Sequence, residues 1–191
     1  METMRRRSDA FANVAKILTA AREVFAKEGA AATLSQVASA AGVANATLYR
    51  HFPNRQALAA AVYQEILENE IKPAIMALGE DAPREAFIEA LAHLEDVMFE
   101  QRPLLSSLED LAQLTERLII RDRDDLDQIV SQARARGALR PDLTTEDVAA
   151  FVAMVTTGSV AMNQPKSLRR RYLSLMLDAF NPGDALELPQ A

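Results

Sequence analysis

The amino-acid sequence predicts an all-α fold of about nine helices, a three-helix N-terminal domain followed by a larger helical domain. Three observations predict it. Apolar residues recur at steps of three and four along almost the whole chain. No stretch shows the alternation of a half-buried strand. Glycine and proline stand where one helical period ends and the next begins, at Gly29, Gly42, Pro53, Pro73, Pro103, Gly137 and Pro165.

The first helix is expected from about Ala10 to Glu28, with Phe11, Val14, Leu18, Ala21 and Phe25 on one apolar stripe and Gly29 ending it. Residues 1–8 precede it as an arm carrying Arg5, Arg6 and Arg7. The next two helices lie within residues 33–52. Thr33 is an N-cap and Gln36, three residues on, can return the hydrogen bond as a capping box. Val37, Ala38 and Ala41 give that helix one small apolar face, and Ala38 permits a close helix crossing. Gly42 stands where the chain must leave the helix through a left-handed residue, which costs glycine least. Val43 tucks under the turn, and Leu48 and Phe52, one turn apart, make the buried stripe of the following helix. Asn45, Ala46, Thr47, Tyr49 and Arg50 point elsewhere. This is the helix-turn-helix pattern, whose second helix enters a DNA groove. A merely packed helical hairpin would need neither the alanine nor the glycine four residues later.

Thr33, Val37-Ala38, Gly42-Val43, the run THR-LEU-TYR-ARG-HIS-PHE at 47–52 and the run NRQAL at 54–58 together resemble the DNA-binding domain of the TetR (tetracycline-repressor) family. The resemblance covers about residues 17–58 and agrees in spacing and residue type. Ala44 departs from it, because the family usually carries serine or threonine as the cap of this helix. Asn45 could take over part of that capping, which would leave it less free to read a base. The resemblance implies a homodimeric, one-component transcriptional regulator, a repressor rather than an activator, on a palindromic operator in double-stranded DNA. Asn45, Thr47 and Arg50 are assigned to base reading, asparagine favouring adenine and arginine guanine, and Ala46 to close approach or a thymine methyl. Resemblance and chemistry together assign Thr33, Tyr49, His51 and Arg55 to phosphates, which set register. The arm's arginines would reach phosphate or the minor groove, the alternative being a solubilising tail.

A fourth helix is expected after Pro53, capped by Asn54, with Leu58, Ala61, Val62, Ile66 and Ile71 inward and Pro73 kinking or ending it. In the family this helix carries ligand-induced motion to the DNA-reading heads. Residues 79–83 (GEDAP) are the next boundary signal. Beyond them Phe87, Leu91, Leu94 and Met98 predict one helix, closed by Arg102-Pro103. Leu104, Leu108, Leu111 and Leu114 predict another, and a further one runs from about Thr115 to Arg136, ending at Gly137. Thr144 caps the next, with Glu146 and Asp147 in its first turn, and the last starts near Pro165. Domains are accordingly expected at 1–58 (DNA binding), 59–180 (ligand binding and dimerisation) and 181–191 (a loose tail). The last two helices are apolar over more than one face, and Gly158-Ser159 would permit close helix approach. In the family they pair with their copies in a partner subunit as a four-helix bundle; burial within one chain is the alternative.

Charge supports this division. The chain carries −6 overall, but residues 1–55 carry +4 and residues 56–191 carry −10, so the basic part holds the helix-turn-helix. There is no cysteine, which excludes disulfides and thiolate metal sites and fits a cytoplasmic protein. No apolar run approaches the roughly 20 residues of a membrane span, and the N-terminus has no apolar segment of a secretory signal. Neither a membrane partner nor a cofactor is expected.

An enzyme would need a catalytic set, and none is legible. Of the two histidines, His51 belongs to the motif and His93 stands with Glu89, Asp96 and Glu100 without the paired Glu-x-x-His spacing of a di-iron bundle. No phosphate loop, nucleophile elbow or zinc-protease motif occurs, and no metal site is expected. His93 reads as a surface or half-buried residue, an effector contact being the alternative. A small-molecule effector pocket is expected among Tyr63, Phe87, Leu91, Met98 and Phe99. Leu108, Leu111, Phe151, Met154 and Val155 complete that set, though each is equally an ordinary core residue. The rival readings are a helix-turn-helix module with a nucleoid-associated or division-coupled role, and a helix-bundle enzyme with a vestigial DNA head.

Overall fold

The computed structural model describes residues 2–76, 83–121, 123–181, 183 and 188, with side chains from residue 12 onward. The boundary signal at 79–83 falls almost wholly outside the described residues, as do the side chains of Arg5, Arg6, Arg7 and Phe11 and most of the tail. Every regular element among the described residues is helical: α1 (Glu2–Glu28), α2 (Leu34–Ala40), α3 (Asn45–His51), α4 (Arg55–Ile66), α5 (Lys72–Met76) and α6 (Arg84–Glu100). They are followed by α7 (Arg102–Leu105), α8 (Leu111–Arg121), α9 (Arg123–Ala135), α10 (Thr145–Ala161) and α11 (Lys166–Ala179). Two compact units result. One comprises Met1–Ile66 and Glu100–Glu109, the other Leu67–Phe99 and Asp110–Ala191.

The first unit is built on α1, which runs back to Glu2 where a separate arm was expected. Ile17, Ala21 and Phe25 of α1 are fully buried with Val37 and Ala38 of α2, Leu48 of α3, and Leu58, Val62, Tyr63 and Ile66 of α4. Each large apolar side chain so buried contributes about 1.5–3 kcal/mol before entropy is charged against it. Leu104 and Leu105 of α7 complete this core. The helix expected through Leu104, Leu108, Leu111 and Leu114 is interrupted. Ser106 and Ser107 donate their hydroxyls to the carbonyls of Pro103 (3.2 Å) and Leu104 (2.6 Å), and Leu108 bonds three residues back to Leu105. Such local bonds compete with the helical ladder and end it after one turn.

In the second unit the chain passes from a π-helical turn, Leu67–Ile71, into α5. Pro73 is the second residue of α5, directly behind that π turn, where its missing amide takes one donor from the ladder. Over the residues expected as one helix, 115–136, α8 and α9 are helical, residue 122 lying outside the described residues. Gly137, at φ +68°, closes α9, and Ala138 donates back to Ala133 at 2.9 Å. Thr144 opens α10 with a capping box closed by Asp147. The core joins Leu91 and Ala92 of α6 to Leu143, Leu173, Met176 and Phe180, with the Phe151 ring edge-on to Phe180 at 5.5 Å.

Candidate functional sites

In the first unit the turn between α2 and α3 is specified atom by atom. The Thr33 hydroxyl accepts from the Gln36 amide at 3.2 Å, and the Thr33 amide donates to Gln36 Oε1 at 2.8 Å. At the other end Val43 donates to Ala38 at 3.0 Å across Gly42, whose φ is +66°. A Cβ at Gly42 would meet nothing within 4 Å, so it is backbone handedness, not space, that requires glycine here. These bonds fix where α3 begins. Ala44 supplies no side-chain cap to α3, and the Asn45 side chain makes no hydrogen bond among the described residues, so it has not taken over that duty.

At about 100° per residue, Asn45, Tyr49, Ala46 and Arg50 fall within about 140° of one another around α3, and all four are exposed. Leu48 lies on the buried side of the helix, and Phe52, the extended residue that ends it, is buried as well. Thr47 and His51 both lie past Arg50 on one side of the exposed strip and are half-buried, the His51 ring tilted against Phe52 at 6.3 Å. Thr33 is exposed with its hydroxyl engaged in the capping box. Arg55 differs from the other seven, because its guanidinium turns inward. It donates to the carbonyls of Ala30 and Ala32, both at 3.2 Å, and to that of Pro103, and lies 4.3 Å over the Phe25 ring. Resemblance and chemistry assigned Arg55 to phosphate; here its guanidinium is held by the turn after α1 and by α7, a segment some fifty residues further along the sequence.

The second unit contains a cavity of about 510 Å³, within the range of small-molecule sites. Leu67, Ile71 and Ile75 line it from the π turn and α5, Phe87, Leu91 and Leu94 from α6, and Ile119 from α8. Leu126, Ile129, Val130 and Ala133 of α9, Val148, Ala149 and Val152 of α10, and Leu177 and Phe180 complete the apolar wall. The remaining lining residues are Arg84, Arg136, Ala138, Leu139 and Asn181, and no Asp or Glu is among them.

Of the ten residues expected at an effector pocket, Phe87 and Leu91 line this cavity. The others lie elsewhere. Tyr63 and Leu108 belong to the first unit. Met98 is fully buried packing, Phe99 lies under the Arg169 guanidinium at 4.7 Å, and Leu111 is half-buried at the start of α8. Phe151 and Val155 pack against the Leu91–Phe180 core, and Met154 is 58% exposed. For Phe151, Met154 and Val155 the physical reason is the phase of α10. It turns Val148, Ala149 and Val152 to the cavity, a rotation that its near-uniform apolarity left undetermined.

A buried polar network also joins α6, α10 and α11. Glu95, 1% exposed, accepts from the Ser159 hydroxyl. Arg169, 4% exposed, pairs with Asp96, and its Nε stands 3.8 Å from the other Glu95 oxygen. Burial pushes the Glu95 carboxyl up to about 7, against the opposing pull of Ser159 and Arg169. His93 is exposed, with Nε2 3.9 Å from Glu70.

The family model for the tetR family of bacterial regulatory proteins matches residues 17–62. A TetR transcriptional regulator of known structure from Streptomyces coelicolor is 28% identical, with a TM-score of 0.54, over 89% of this chain and 99% of that one. The TetR transcription regulatory protein from Mycobacterium vanbaalenii is 24% identical, with a TM-score of 0.54, over 92% and 98% of the two chains. RolR in complex with resorcinol is 19% identical, with a TM-score of 0.66, over 91% and 90%. Comparison with curated proteins finds no match.

Proposed function

Since this chain belongs to the tetR family of bacterial regulatory proteins, we propose that it is a dimeric repressor whose α3 reads a palindromic operator and which a small-molecule effector releases. The observation that carries the DNA-reading part is the exposed face of Asn45, Ala46, Tyr49 and Arg50 on a helix whose start the α2–α3 turn dictates. On this reading Asn45 and Arg50 meet base edges, with Thr47 and Ala46 beside them. Tyr49, His51 and the α2 cap at Thr33 hold phosphate, while Arg55 stays out of the interface and braces it.

Two copies would associate through α10 and α11. Each helix carries a stripe at i, i+4 and i+7 with little of its own chain against it: Met154, Gly158 and Ala161 on one, Leu168, Tyr172 and Leu175 on the other. A Cβ at Gly158 would meet nothing within 4 Å, so this glycine answers no need of the single chain. Exposed apolar stripes of this kind are what a two-fold interface covers.

The cavity is the effector site on this reading, supported by RolR, a protein of similar fold solved with resorcinol. Its occupant would touch Leu67 and Ile71, whose chain continues from α4, and Leu91 and Leu94 of α6, whose chain continues into α7. Both continuations belong to the first unit, where Arg55 ties α4 to Pro103 of α7. Effector binding would thus bias two covalent crossings into the DNA-reading unit at once, a population shift set by differential affinity for two states. The deciding experiment is a gel shift on the DNA upstream of the gene. Tyr49→Ala and Arg50→Ala should each abolish the specific complex with folded dimer retained. Normal shifts from both variants would overturn the assignment of α3.

A further inference from the structure

We propose that the cavity takes an apolar molecule bearing one carboxylate, the carboxylate standing at the mouth against Arg136; this rests on reading the cavity as the effector site. The lining residues that are exposed are Arg84, Arg136, Ala138 and Asn181, so the charges of the lining lie at its solvent end and the interior is hydrocarbon. The three chain segments that carry them meet at the end of α11. Arg84, at the start of α6, donates to the Ser174 carbonyl and to Asp178 Oδ1, each at 2.6 Å. The amide of Arg140, just past the turn after α9, donates to the Phe180 carbonyl at 3.0 Å.

The two guanidiniums are not equivalent. The charge of Arg84 is matched by Asp178, and the carbonyls ending α11 repel an anion there. The Arg136 side chain makes no ion pair or hydrogen bond among the described residues. The mouth therefore holds one uncompensated positive charge, suited to a monoanion. A phosphate dianion would leave a charge unmatched. An ammonium would find two guanidiniums and no lining carboxylate, and a neutral ligand would make no use of Arg136. A planar carboxylate also fits the guanidinium fork.

Calorimetric titration of the full chain with matched acid and alcohol pairs tests this, using decanoate against decan-1-ol and 1-naphthoate against 1-naphthol. An exposed ion pair of this kind is worth about a fivefold preference for the acid. Arg136→Gln should abolish that preference and Arg136→Glu should reverse it, with thermal unfolding unchanged in both. Val152→Phe, which projects a ring into the cavity, should remove binding of acid and alcohol alike. Equal affinity for acid and alcohol, both lost in Val152→Phe, would overturn the carboxylate and leave the cavity reading standing. Binding indifferent to Val152→Phe would overturn the cavity reading itself. Acid preference surviving in Arg136→Gln, or no binding of any of the four compounds, would overturn the proposal.

Discussion

Arg55→Ala separates a structural arginine from a DNA-binding one. The guanidinium reaches three carbonyls, of Ala30, Ala32 and Pro103, and packs 4.3 Å over the Phe25 ring. A buried hydrogen bond to a charged donor is worth about 1.5–3 kcal/mol, and a cation over an aromatic face about 0.5–2 kcal/mol. These do not add, because Arg55 is half-buried and water can reach the exposed carbonyl of Ala30. We expect a loss of about 2–3 kcal/mol in the first unit, most of it from the carbonyls left facing Phe25 and α7. Arg55→Lys should lose nearly as much, since a single nitrogen cannot span the acceptors that two guanidinium nitrogens reach.

Hydrogen exchange of α1–α4 amides reads the stability of that unit directly. A salt titration of binding to duplex DNA reads phosphate contacts, each contributing about 0.9 to the slope of log K against log salt. Arg55→Ala should lower the protection and leave the slope unchanged. Arg50→Ala should do the opposite, with stability changed by no more than about 0.5 kcal/mol. Unchanged protection in Arg55→Ala, together with a slope reduced by about one, would refute the reasoning and return Arg55 to the DNA.

Two further outcomes follow from the second unit. The Glu95 carboxyl, raised to about 7 by burial, binds a proton in the folded state that the unfolded chain has released, so stability should fall as pH rises from about 4.5 to about 7. Across that window the contribution is up to about 3 kcal/mol. Chemical denaturation of wild type and Glu95→Gln at pH 5, 6, 7 and 8 should show this slope in the former only, and parallel profiles would refute it. Leu175→Glu places a charge on a side chain 54% exposed in the single chain. Sedimentation should show a dimer for wild type and a folded monomer for the variant, and a variant that stays dimeric would move the proposed interface off α11.

How far the sequence could be read followed from how local each interaction is. The α2–α3 turn was legible to the atom, because its cap, its left-handed glycine and its buried stripe all act within five or six residues of one another. Thr33 with Gln36, Ala38 with Val43, and Leu48 with Phe52 are each local pairs, and each is where their spacing puts it. Thr144 with Asp147, and the end of α9 at Gly137, were legible for the same reason. Ser106 and Ser107 are local too, yet their effect on the helix through Leu104 was missed. A hydroxyl in a helical pattern signals a break only when its bond to a carbonyl three residues back is made.

Arg55 and α10 mark where local reasoning ends, and both do so for one reason. Periodicity tells which face of a helix is apolar or charged; it does not tell which other segment will cover that face. Arg55 was assigned to phosphate by resemblance and chemistry, and the carbonyls that compete for its guanidinium, of Ala30, Ala32 and Pro103, are 23 to 48 residues away. On α10 the apolar residues surround the helix, so Val148 and Val152 could have exchanged roles with Phe151 and Val155 under a modest rotation. The rotation adopted is the one the buried polar groups allow. Thr156 and Ser159 lie on the buried side of α10, and Ser159 donates to Glu95 of α6. A buried carboxyl with no donor is costly, so this bond restricts α10 to phases that keep Ser159 on Glu95. In the phase adopted Val152, seven residues before Ser159, lines the cavity, while Met154 points outward. The polar pair, rather than any apolar periodicity, was the signal in the sequence that could have located the cavity wall.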